Sequence, residues 1–115
     1  MFGFNKPRFR EMFKSDIAPR VEYANTQNIA MSVSEWSYDC VMYSCDMCLE
    51  FQKQSDGLLT SDWIEHITKE TCAVYRELVP GFGTAEEQDC IQKAKDLMRN
   101  QASTRITVDR YYNRI

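Results

Sequence analysis

The run Asp39–Phe51, "DCVMYSCDMCLEF", sets the thiols of Cys40, Cys45 and Cys48 within a few positions of one another. Their C-x4-C-x2-C spacing opens some two-iron sites, where the ligands sit on a loop. Here no Gly or Pro falls between Ile29 and Asp56, so the run reads as helix. With Cys40 at 0° and about 100° per residue, Asn28, Ser32, Glu35, Asp39, Asp46, Glu50 and Lys53 fall in a strip about 60° wide. Every charged residue from Glu35 to Lys53 lies in that strip, and Trp36, Val41, Met42, Met47, Leu49 and Phe51 share the rest with the cysteines. A helix that is apolar nearly all round is a buried helix. The expected element runs from about Ala24 to Ser55 and is about 45 Å long.

On such a helix Cys40 and Cys48 stand about 12 Å apart. An ion with Zn–S bonds near 2.3 Å cannot bridge them. Only Cys45 and Cys48, at i and i+3, can share a metal, with Cys72, Cys90 or His66 completing the set. The primary expectation is that the cysteines pack the core, as free cysteines usually do. No cofactor is expected, and a metal or redox module on Cys45 and Cys48 is the alternative.

Punctuation marks the other elements. Gly and Pro occur only at Gly3, Pro7, Pro19, Gly57, Pro80, Gly81 and Gly83, leaving uninterrupted stretches at 20–56, 58–79 and 84–115. The second opens with Thr60 as N-cap and Leu59 and Ile64 placed as a staple; the third opens with Thr84 and Glu87 spaced as a capping box. Trp63, Ile64, Ile67, Thr71, Val74, Tyr75 and Leu78 share one helical face, and Cys90, Ile91, Ala94, Leu97 and Met98 recur at helical spacing. The expected fold is a small all-α domain at 21–103, with a long central first helix and two shorter ones. A basic aromatic arm at 1–20 precedes it, and an extended basic tail at 104–115 follows.

The chain has 115 residues, a size that suits one domain. No run approaches the roughly 20 apolar residues of a membrane-spanning helix. Five cysteines without a secretory signal suggest reduced thiols in a cytoplasmic compartment. The net charge of −3 is unevenly spread. Residues 1–20 carry +3, residues 21–96 carry −9 and residues 97–115 carry +3.

The ends therefore either fold back on the acidic body or grip a partner. At the start, Phe4, Phe9 and Phe13 interleave with Arg8 and Arg10. Two readings stand level: an arm that anchors in a partner's groove, or a short helix that covers this protein's own core. At the end, "STRITVDRYYNRI" alternates Ile106, Val108, Arg110 and Tyr112 with Arg105 and its neighbours, a β-branched pattern that favours an extended strand.

Chemistry is sparse. One histidine, no paired catalytic carboxylates and a "GFG" that lacks the Lys-Ser/Thr of a phosphate loop give no enzyme motif. The expected function is a non-enzymatic interaction subunit, an accessory component or inhibitor of a larger assembly. Its partner is another protein, a protein complex or a second copy. The expected contacts are Phe4, Arg8, Phe9, Arg10 and Phe13 from the arm, and Arg105, Ile106, Val108, Arg110 and Tyr112 from the tail. Nucleic-acid binding through the basic ends is a further alternative, weakened by the acidic body and the lack of a recognition signature.

Overall fold

The computed structural model describes residues 8–54 and 59–99. Four helices follow one another: α1 Arg10–Thr26, α2 Val33–Gln54, α3 Ser61–Leu78 and α4 Thr84–Arg99. The all-α class expected from the sequence is the class observed, with no strand among the described residues. The tail at 104–115 and Phe4 lie outside those residues.

Residues 10–20, expected within the arm, belong to α1. Pro19 sits inside this helix, where a missing N–H and a ring clash cost about 3 kcal/mol. The cost is offset by packing: Phe13, Ile17, Val21 and Ala24 recur every three or four residues and are all buried. Full burial of a Phe or Ile side chain contributes about 1.5–3 kcal/mol. Of the two readings of the basic aromatic start, the described residues follow the second. Its exposed basic side chains also pair with acidic groups of α3, Arg10 with Glu70 at 2.9 Å and Lys14 with Glu77.

The expected long helix is shorter by nine residues at its start, beginning at Val33 and not near Ala24. Two end signals interrupt the chain. Asn28 takes φ +55, a left-handed conformation that Asn tolerates better than most residues. Around it, Ile29 N–H donates to Ala24 O at 2.9 Å and Asn28 N–H to Asn25 O at 3.3 Å, the two bonds of a Schellman stop. Ser32 then starts α2 with a reciprocal capping box: Glu35 N–H donates to Ser32 Oγ at 3.1 Å, and Ser32 N–H to Glu35 Oε1 at 2.9 Å.

Helices α2, α3 and α4 pack mutually, and α1 packs on α3, so α3 is the element that meets all the others. Thr60 caps α3 as expected, accepting from Trp63 N–H at 3.3 Å. The box at α4 falls one residue earlier than expected. Gly83 N–H donates to Glu86 Oε1 at 2.6 Å, which frees Glu87 to pair with Arg76 of α3. The turn between α3 and α4 needs Gly81, at φ +88, where a Cβ would also press on Val33 Cγ2 at 3.1 Å.

Aromatic contacts seal α1 to the bundle. Phe9 stacks on Phe13 at 5.3 Å, and Phe13 meets the edge of Tyr43 at 5.3 Å. Phe9 also approaches His66 at 5.9 Å, and His66 meets Trp63, which stacks on Phe51 at 4.5 Å. The only histidine of the chain is thus half-buried in this seam. Side chains of α1 thereby cover part of the apolar breadth of α2.

Candidate functional site

The apolar faces of α2, α3 and α4 each contribute one cysteine to a common point. The sulfurs of Cys40, Cys72 and Cys90 all lie within 4.8 Å of one another. Cys40 Sγ and Cys72 Sγ are 3.6 Å apart, and Cys90 Sγ–H donates to the Ser37 carbonyl at 3.6 Å. All five cysteines are buried and in the thiol form, without a disulfide.

Burial, together with donation toward its neighbours, raises the Cys40 thiol well above the ordinary range. Cys72 is lowered by Cys40 but raised more by donating to Cys90 and by burial, for a net rise. Cys90 accepts from both, which lowers it. Cys90 is thus the most acidic thiol of the trio, and Cys40 and Cys72 are its donors. Its chemistry is that of a soft, sulfur-only ligand set.

Cys45 and Cys48, the pair expected to hold any metal, are buried outside this group. Burial first, then the Asp46 charge, pushes Cys45 up to about 12, and burial raises Cys48 further. Both therefore behave as small apolar residues in the α2 core.

Beside the trio lies a buried polar centre. Asp39, 2% exposed, accepts from Arg20 of α1 and from Tyr75 Oη of α3. Burial and the Asp39 charge raise the Tyr75 phenol far above its usual range, so it stays a donor. Tyr43 Oη donates to Asp16 Oδ2 at 2.7 Å, a second tie between α1 and α2. The sequence placed Asp39 on a solvated stripe. The structure buries Asp39 of that stripe against Arg20 of α1 and leaves Glu35, Glu50 and Lys53 exposed.

On the far side of α2 a cleft opens toward α4. Its volume is about 720 Å³ and its walls include Val33, Tyr38, Val41, Met42 and Leu97, with Glu86, Asp89, Lys93 and Asp96 along the α4 side. Tyr38 is half exposed. Ser37 also lines this cleft, and its carbonyl holds Cys90, so the trio sits directly behind the cleft wall.

The other expected contact residues are scattered. Arg8 is exposed, Phe9 half-buried and Arg10 exposed but paired to Glu70. Phe13 has no exposed surface and is a core residue, unable to anchor a partner in this fold. Phe4, Arg105, Ile106, Val108, Arg110 and Tyr112 lie outside the described residues.

Comparison with protein-family models, curated proteins and solved structures finds no match to this chain.

The convergence of Cys40, Cys72 and Cys90 was overlooked at the level of sequence, yet it had a signal. Cys40 is seven residues into α2, Cys72 six from the end of α3 and Cys90 six into α4. In an up-down-up bundle each then lies about 9–11 Å from the same end. Helix boundaries accurate to a residue or two place all three at one level.

Proposed function

We propose that this protein is a non-enzymatic interaction subunit whose α2/α4 cleft receives a basic amphipathic helix from another protein. The observation that carries this reading is the cleft itself. It presents apolar side chains between two helices of the bundle, and its α4 edge carries three acidic residues against one lysine. Helix-in-groove recognition uses such a surface, with apolar anchors at i, i+3, i+4 and i+7 seated on the floor. Acidic groups along the rim select a positively charged partner and speed its arrival. Within the chain, Lys93 pairs with Asp89 at 2.9 Å and Arg99 with Asp96 at 3.6 Å through exposed side chains, and the cations of an incoming helix exchange with these two.

The test is a photoreactive amino acid at Tyr38, with Tyr23 on α1, which is also exposed, as the control position. The expected product at position 38 is a cross-link to a basic helical segment of another protein. A synthetic peptide of that segment should bind the purified chain and lose about tenfold or more in affinity to Leu97→Asp. Cross-linking only to a second copy, equal products at both positions, or peptide binding indifferent to Leu97→Asp would each overturn the proposal. Circular dichroism verifies that the variant remains helical.

A further inference from the structure

We propose that Cys40, Cys72 and Cys90 form a three-sulfur site for a trivalent, sulfur-seeking metalloid of the arsenite type. The geometry is nearly that of a bound complex. An ion with sulfur bonds near 2.3 Å, the length in zinc thiolates, holds its ligand sulfurs roughly 3.8 Å apart. One pair already stands at 3.6 Å, and all three sulfurs fall within 4.8 Å. Each ligand comes from a different helix, so side-chain rotation on a fixed backbone supplies the remaining adjustment.

Charge and coordination number select among soft ions. No histidine or carboxylate joins the group within that distance among the described residues, and the trio is fully buried. A four-coordinate ion such as zinc lacks its last donor here. Three thiolates around Zn²⁺ also leave a net negative charge in the core, and around Cu⁺ a larger one. Buried net charge is costly unless paired, and the nearby Arg20 is committed to Asp39. Trivalent arsenic takes three sulfurs, keeps a lone pair in the fourth direction and gives a neutral centre.

Counted from three neutral thiols, the exchange balances without any other reactant. Arsenous acid, As(OH)3, exchanges each hydroxide for one cysteine sulfur. Three As–O bonds break, three As–S bonds form, and each thiol proton leaves on a hydroxide as water. No electron is transferred and no net proton is released. Divalent zinc on the same three thiols would instead release three protons. The α2/α4 cleft provides the approach, since Ser37 lines it and its carbonyl is the contact that Cys90 must give up.

The test uses the reduced full chain and sodium arsenite. Native mass spectrometry should show one arsenic per chain with the loss of three thiol protons. X-ray absorption should count three sulfurs and no oxygen on arsenic, a readout that needs no variant. Cys40→Ser, Cys72→Ser and Cys90→Ser should each weaken binding about 100-fold, while Cys45→Ala and Cys48→Ala should leave it unchanged. Zinc chloride should bind at least about tenfold more weakly than arsenite. A coordination of two sulfurs with oxygen retained, dependence on Cys45 or Cys48, or zinc binding as tight as arsenite would each overturn the assignment.

Discussion

Arg20 of α1 donates to the buried Asp39 carboxylate of α2, and the same carboxylate accepts from Tyr75 of α3. One residue therefore ties three helices. Asp39→Ala leaves the Tyr75 hydroxyl buried with its acceptor gone, whereas Arg20, about a third exposed, turns to water. The expected loss is about 3 kcal/mol, at the lower end for a broken buried pair. Arg20→Ala leaves the carboxylate uncompensated and should cost a similar amount. Combining both should cost clearly less than the sum, because the second change removes a group already stranded. Urea unfolding of the four proteins measures this. Strict additivity would show that the pair does not couple α1 to α2.

Asn28 ends α1 in a left-handed conformation, which fixes where the chain turns toward α2. Asn28→Gly should change stability by no more than about 0.5 kcal/mol, while Asn28→Val should cost about 1–2 kcal/mol. If valine were tolerated as well as glycine, the turn would not depend on that conformation. Thermal melts of the two variants decide it.

The position of this turn shows where sequence reasoning succeeded and where it stopped. The two later helices were legible because their starts follow glycine or a Thr cap and their apolar faces repeat cleanly. The first boundary misled because Pro19 looks like a stop and Asn28 does not. Pro19 is tolerated since Phe13, Ile17 and Val21 bury on either side of it, a tertiary gain invisible to local rules. Ser32 and Glu35 did spell a capping box, but the same two residues also fit the charged strip of a longer helix. Periodicity favoured the longer helix, and the cap signal went unused. For the thiol cluster, residue type was read correctly as core, but meeting in space requires three helix registers at once.

Acid should loosen two of these joints. The Ser32 backbone N–H, then its hydroxyl, hold Glu35 below its usual range, and Lys95 followed by Lys69 do so for Glu65. For a carboxylate whose folded pKa is depressed, the unfolded chain binds more protons in the intervening window. The stabilisation is therefore complete above the unfolded value near 4.3 and is lost as pH falls through the folded one. Unfolding midpoints in urea should drop from about pH 5 to pH 3, and Glu35→Gln should make that drop shallower. Both side chains are well exposed, and the effect should also shrink in 1 M salt for Glu65, whose partners are surface lysines at 2.7 and 3.2 Å. An unchanged slope in Glu35→Gln would remove the α2 cap as a source of acid sensitivity.

Alkali should act in the opposite sense through the buried thiols. Cys45 is fully buried in α2, and burial pushes its pKa up to about 12. Unfolded, the same thiol titrates near 8.5. Between these values the folded chain binds the extra proton, so stability falls as pH rises, by up to about 1.4 kcal/mol per pH unit for one such group. From pH 8.5 to 10 this thiol alone should remove about 2 kcal/mol. Cys45→Ala loses packing at neutral pH but should show a correspondingly flatter alkaline limb, so the two proteins converge as pH increases. Parallel alkaline limbs would mean that Cys45 ionises inside the fold. The helix would then admit water at a position where the structure leaves no exposed surface.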